Sequence, residues 1–385
     1  MIDYLLIGLV FIISFILSIA IGGGSTGSTP FSPAVGANAI QTLRAAFIVG
    51  IITFFGAVLQ GQSVADTIGT GLIHNITLTP IEISIVLLIG AIFMMIGIST
   101  GYPIATAFTF TGAFIGAGIA AGGTPVYGTY VYILLFWTLG PIFSVTIAYT
   151  TIKTLLYENI DSSTTLTILT TIVLFFIFNI KFNIPNTGMI SIREVISIML
   201  NTNSTISLLI TGLITVLIGY ILHKPIYRNI RKSMNYFLLF LGGIVAFSAG
   251  ASQVGIAVGA LIPITESTKI PYISIFIMSG FGLLIGAWLF APKMIKSVSQ
   301  EYASLGPRRS IAALFSAFIL AQLAVLFGYP ISFNQIMISS IIGSGLAVNK
   351  TEDNISKNKI IYTIIIWIIT LIISFILSFS IVSLL

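Results

Sequence analysis

The chain has 385 residues, of which 57% are hydrophobic and 7% charged, with a formal net charge of +6 and no cysteine. Soluble domains carry about 25% charged residues, so a water-soluble globular protein is excluded; mean hydropathy is +1.12. The missing cysteines exclude disulfides and thiolate chemistry, and the positive balance reads as membrane topology rather than nucleic-acid binding.

Apolar runs of about 18–20 residues, long enough to cross a bilayer, recur along the chain. In order, the candidate spans are Tyr4–Ile21, Arg44–Gly61, Ile83–Ile98, Tyr130–Tyr149, Leu166–Ile180, Thr205–Leu222, Phe237–Ala249, Ile273–Phe290, Ser310–Phe327 and Ile360–Leu384. The first follows Asp3 rather than a basic region and precedes no small-residue cleavage site, so it reads as a retained span. Four further segments are apolar but rich in Gly, Pro, Ser and Thr: Gly22–Ala39, Gly101–Gly123, Gly250–Pro263 and Gly328–Ala347. The expected fold is an all-α polytopic membrane protein of roughly ten to twelve transmembrane segments, with broken helices and re-entrant hairpins.

The four special segments pair. Gly101-Tyr102-Pro103-Ile104 recurs as Gly328-Tyr329-Pro330-Ile331, Gly116 and Gly118 recur as Gly343 and Gly345, and Gly23-Gly24-Ser25 falls on Gly250-Ala251-Ser252, all at an offset of 227. "GAVL" at 56–59 echoes "GAWL" at 286–289. Matches in one order argue for internal duplication. The expected units are a first repeat at 1–151, variable linking helices and a basic loop at 152–236, and a second repeat at 237–385. Equivalent loops differ in charge: 223–235 holds Lys224, Arg228, Arg231 and Lys232, whereas Met1–Asp3 holds none. Lys and Arg mark the cytoplasmic side, so the repeats read as inverted, with an outward N-terminus and loops 223–235 and 291–309 inside.

Irregular backbone at membrane depth must be buried in protein or face a watery cavity. A helix restarting after a break aims free N–H groups at whatever lies there, and anions bind such ends. Gly23, Gly24, Ser25, Thr26, Ser28 and Thr29 form the first candidate binding segment, and Gly250, Ala251, Ser252 and Gln253 the second. From the hairpins come Thr106, Ser332 and Asn334, with Thr109 and Gln335 as further polar candidates. Each residue alone also suits plain helix–helix packing. All ten acids, Asp3, Asp66, Glu82, Glu158, Asp161, Glu194, Glu266, Glu301, Glu352 and Asp353, fall at span ends or in loops. Intramembrane carboxylates mark ion pathways, so Glu266 is the one coupling candidate. No metal cluster, nucleophile triad or nucleotide loop is present in the sequence, which sets aside a membrane enzyme; no cofactor is expected.

With these motifs in place, the chain resembles the inorganic phosphate transporter (PiT) family, which carries two GANDVANA-type motifs in an inverted repeat, each followed by a hairpin. "GGSTGSTPFSPAVGA" (23–37) and "AFSAGASQVGIAVGA" (246–260) fit the motifs; "GYPIATAF" (101–108) and "GYPISFNQ" (328–335) fit the hairpins. The family's Asn-Asp pairs fall on Ser25-Thr26 and Ser252-Gln253, which resembles its sulfate permease branch. The resemblance implies a permease moving a tetrahedral oxyanion across the cytoplasmic membrane by alternating access around a midplane site. Sulfate, an acceptor only, is slightly favoured over phosphate. The alternatives are a Na⁺- or H⁺-coupled phosphate symporter and, further off, an anion channel. The expected partners are the oxyanion, a coupling proton and the lipid bilayer, with a homodimer left open.

Overall fold

The computed structural model describes residues 4–156, 161–184, 188–347 and 356–385. The acids Asp3, Glu158, Glu352 and Asp353 therefore lie outside the described residues. The first half runs α1 (Tyr4–Ile21), a π-helical turn (Gly22–Thr26), a 3-10 turn (Thr29–Phe31), α2 (Ser32–Gly36), α3 (Thr42–Gln60), α4 (Gln62–Gly71), β1 (Ile73–His74), α5 (Pro80–Thr100), α6 (Thr106–Ala120), β2 (Thr124–Pro125) and α7 (Tyr127–Leu156). Next come α8 (Ser162–Asn179), β3 (Lys181–Ile184), β4 (Gly188–Ser191), α9 (Ile192–Met199) and α10 (Ser204–Arg228). The remainder is α11 (Ile230–Val258), a 3-10 turn (Gly259–Leu261), α12 (Ile262–Thr268), α13 (Tyr272–Glu301), α14 (Pro307–Phe327), α15 (Phe333–Leu346) and α16 (Lys357–Val382).

Among the described residues ten helical stretches are long and apolar enough to cross a membrane, and every candidate span of the sequence overlaps one of them. Their polarity is inside out. On α16, Thr363, Thr370, Ser374 and Ser378 are buried, whereas Ile365, Ile368, Ile372 and Ile376 are exposed. On α10, Ser207, Thr211, Thr215 and Gly219 face inward while Leu209, Leu213 and Leu217 face out. Lipid accepts the aliphatic face, and small residues let helix backbones approach.

Two hairpins interrupt the bundle. α5 and α14 both end on a left-handed glycine, Gly101 (φ 75°) and Gly328 (φ 73°). This cap favours a residue without a Cβ, and the proline two positions on prevents the helix from resuming. α6 and α15 then begin at equivalent points. At 15 and 14 residues they are about 22 Å long, short of the roughly 30 Å of a hydrocarbon core.

The hairpins are anchored at opposite ends of the bundle. β1 before α5 pairs with β2 after α6, while Ser356, just before α16, bonds Tyr302, just after α13. Their tips cross over: Ser297 near the end of α13 donates to Gly101 O at 2.8 Å, and Ser63 at the start of α4 donates to Val325 O at 2.8 Å.

The glycine-lined helix crossings also come in pairs. A Cβ on Gly286 would lie 1.9 Å from Ile19 O, and one on Gly56 would lie 2.0 Å from Phe247 O. A Cβ on Gly22 would meet Leu283 O, and one on Gly250 Thr53 O, each at 2.2 Å. Thus α1 crosses α13 as α11 crosses α3.

One expectation is corrected. The second motif is not a break: α11 runs through Gly250, Ala251, Ser252 and Gln253 without interruption to Val258. In the first motif three consecutive glycines, Gly22–Gly24, loosen the helix into the π-turn. In the second, Gly250 stands alone between Ala249 and Ala251, and a single glycine costs only about 1 kcal/mol in a helix. The chain there breaks later, at Gly259–Leu261, and restarts one residue before Pro263. The backbone N–H groups of residues 250–253 are accordingly spent inside the helix.

Candidate functional site

The start of α15 meets the loop entering α6. Asn334, the second residue of α15, donates from Nδ2 to Ile104 O at 2.8 Å and to Gly24 O at 2.9 Å. One side chain therefore joins the start of α15 to the loop entering α6 and to the π-turn after α1. Gln253 on α11 donates from Nε2 to Ile331 O at 2.8 Å and to Ser252 Oγ at 3.3 Å, bringing the second motif to the same place. The expected segments thus converge: Gly23, Gly24, Ser25 and Thr26 from one element, Ser252 and Gln253 from a second, Ser332 and Asn334 from a third, and Thr106 two residues beyond Ile104.

The N-termini of α6 and α15, rather than of helices restarting inside the motifs, supply the free backbone donors. α6 begins after Ala105 with no side-chain cap. α15 begins after Ser332, whose hydroxyl accepts from Gln335 N at 3.4 Å. Each helix leaves its first N–H groups without an intrahelical partner and carries a partial positive charge there.

The roles of the side chains separate cleanly. Ser28 Oγ and Thr29 Oγ1 both donate to Ser25 O, at 3.1 and 3.0 Å, beside the backbone N–H of Ser28 at 3.1 Å. Thr106 Oγ1 donates to Met94 Sδ at 3.5 Å, and Thr109 Oγ1 to Ala105 O at 3.3 Å. Gly23 packs against Phe290, and Gly24 against Met94. Four polar atoms of the cluster have no partner: Ser25 Oγ, Thr26 Oγ1, Gln253 Oε1 and Asn334 Oδ1. All four residues are 0% exposed, so the cluster is closed to both sides.

Buried polar atoms are ordinarily hydrogen-bonded, and these four lie unpaired where four segments meet. Two are hydroxyls, able to donate or accept, and two are amide oxygens, able only to accept. The amide orientations follow from the network, because each nitrogen already faces a backbone carbonyl.

Glu266 stands apart, exposed on α12. Asp66 and Glu301 are also exposed, and among the described residues no group of three His, Cys, Asp or Glu could hold a metal.

Two tryptophans escaped the sequence reading. Trp137 Nε1 on α7 donates to Pro330 O at 3.1 Å, and Trp367 Nε1 on α16 donates to Pro103 O at 2.8 Å. They stand 230 residues apart, the spacing of "GAVL" and "GAWL", which was the signal available. Gln335 Nε2 adds a bond to Trp137 O at 3.0 Å.

Ten apolar spans closing around a buried, uncharged polar cluster define a multi-pass membrane transporter. The chain belongs to the phosphate transporter family, whose model matches residues 22–378. It is 26% identical to the "Putative phosphate permease" of Thermococcus kodakarensis, covering 95% of this chain and 94% of that one. It is equally identical to the protein of that name from Pyrococcus furiosus, over 93% and 91% of the two chains. A solved structure titled "The sodium-dependent phosphate transporter" superimposes with a TM-score of 0.81 over 98% of both chains at 21% identity, and so shares the fold.

Proposed function

We propose that this chain carries inorganic phosphate across the membrane by alternating access, with the guest held between Ser25, Thr26, Gln253, Asn334 and the N-termini of α6 and α15. The observation that carries the reading is the mixture of donors and acceptors. Sulfate is a dianion that only accepts, and the two fixed amide oxygens would repel it. Hydrogen phosphate brings its own hydroxyl, which Gln253 Oε1 or Asn334 Oδ1 can accept, while the helix ends and hydroxyls meet its charged oxygens. The sulfate preference read from the sequence counted only donors. It gains no support from relatives named for phosphate.

The inverted repeat supports the transport cycle. Paired glycine crossings and hairpins anchored at opposite ends are what two copies of opposite orientation produce, and their exchange would open the closed cluster to one side and then the other. Orientation follows from charge. Of the fifteen described Lys and Arg, only Lys181, Arg193 and Lys269 lie at the helix ends nearest Tyr4; the other twelve (15 − 3) lie at the opposite ends. That asymmetry supports a cytoplasmic Arg308 end. With no titratable side chain in the cluster, a coupled proton travels on the phosphate itself.

Proteoliposomes holding the full chain test this. Radiolabelled phosphate should accumulate saturably, with imposed pH and Na⁺ gradients reporting the driving ion, and a hundredfold excess of sulfate should leave uptake intact. Sulfate accumulation without phosphate accumulation would overturn the assignment.

A further inference from the structure

A second polar site lies at the Arg308 end, away from the central cluster. A cavity of about 610 Å³ opens where α8, α11 and α14 begin. Arg231, Arg308 and Arg309 line it, with Asp161 and Ser162 on one side and Ile152 and Met234 as apolar wall. None of the three arginines is in an ion pair among the described residues. Among the described residues Asp161 is the single carboxylate of the lining, and it is engaged by the Ser163 hydroxyl; the described part of the wall carries a net +2 (3 − 1).

The backbone adds to this charge. α8 starts after Asp161, and α14 starts after Gly306 with Pro307 in its first turn, both without a side-chain cap. Their first N–H groups and positive dipole ends are left open. Arg309 is already oriented, donating to Ser304 O at 2.7 Å. Arg308 reaches Ser162 Oγ at 3.5 Å across the cavity mouth, and Arg231 is exposed. Guanidinium forks match phosphate oxygens in pairs, and this end faces the anionic leaflet if the charge asymmetry sets topology.

We infer that this cavity binds a phosphate group at the membrane surface, held by Arg231, Arg308 and the open N-termini of α8 and α14. Two sources carry that chemistry: the headgroup of an anionic phospholipid, and free inorganic phosphate. The apolar wall and the volume leave room for the glycerol that a headgroup brings.

The test uses the purified full chain as wild type and as Arg231→Gln/Arg308→Gln. One arm titrates phosphatidylglycerol against phosphatidylcholine by native mass spectrometry; the other titrates inorganic phosphate and reads thermal unfolding. Loss of phosphatidylglycerol binding by tenfold or more in the variant, with phosphatidylcholine unchanged, assigns the lipid. A tenfold weaker inorganic phosphate response with lipid binding unchanged assigns the free anion. Equal binding of both probes by wild type and variant overturns the site. Ser162→Glu is the second variant: an acid in the first turn suits the helix dipole yet places a carboxylate against Arg308, so it should reproduce the loss. Phosphate uptake in phosphatidylcholine vesicles should be unchanged in both variants, which separates this site from the transport reading.

Discussion

The indole of Trp367 donates to the carbonyl of Pro103 across 264 residues of chain. Trp137 makes the same bond to Pro330. In each case the tryptophan closes a hairpin tip distant in the chain, where a proline has interrupted the helix and left a buried carbonyl to be satisfied. Trp137→Phe and Trp367→Phe keep most of the packing and remove the donor. Each should lower unfolding stability by about 1–3 kcal/mol, the penalty of an unpaired buried acceptor. Thermal unfolding in detergent checks this, and similar losses at both positions are expected from their equivalent roles.

The hydroxyls of the first motif divide into two pairs with opposite expectations. Ser25 and Thr26 have no partner, so Ser25→Ala and Thr26→Val remove nothing the fold uses. They should leave stability within about 0.5 kcal/mol while reducing phosphate uptake tenfold or more. Ser28 and Thr29 donate to Ser25 O. Ser28→Ala with Thr29→Val removes two of the three donors to that carbonyl, leaving Ser28 N at 3.1 Å, and should destabilise by about 0.5–1.5 kcal/mol for each bond lost. Parallel measurement of uptake and unfolding on the four variants decides between the two roles.

Much of this was legible in residue order. Length and apolarity located the spans, and the GYPI pair located both left-handed glycines and both hairpins. The course of residues 250–253 was not legible. Whether a helix breaks at a glycine depends on summed propensity and on neighbours, and Gly250 is held helical where α11 packs on α3. Nor could the sequence tell which face of an amide is spent. Asn334 and Gln253 read from the sequence only as polar candidates, and their nitrogens are consumed by Ile104 O, Gly24 O and Ile331 O. What is left is oxygen, and that reverses the substrate argument.

Topology can be read without a transport assay. α5, at 21 residues, is about 31 Å long. Asn75 lies just before its start, and Lys293 donates to Ser99 O at its end. Asn75 and Lys296 are exposed, whereas Ser297 is buried and bonded to Gly101 O, which makes it a poor reporter. The chain has no native cysteine, so Asn75→Cys and Lys296→Cys each give a single thiol. An impermeant maleimide added outside right-side-out vesicles should label Asn75→Cys fully and Lys296→Cys less than one-tenth as much. Equal labelling would reject the orientation.

The paired crossings make the sharpest stability prediction. At Gly286 and Gly56 a methyl group would sit about 2 Å from a backbone carbonyl oxygen, of Ile19 and of Phe247. A backbone atom cannot swing aside as a side chain can, so two helices must separate along their contact. Overpacking ordinarily costs about 1–3 kcal/mol, and a clash with backbone exceeds that range. Gly286→Ala and Gly56→Ala should therefore fail to yield monodisperse protein, or unfold at least 10 °C lower. Gly8→Ala is the control: it lies on α1 with no atom near its would-be Cβ. There the same substitution should stabilise by roughly 0.5–1 kcal/mol through lost backbone freedom. If Gly56→Ala were harmless while Gly286→Ala was not, α3 against α11 would not be the structural equal of α1 against α13, and the two-copy account of the carrier would fail with it.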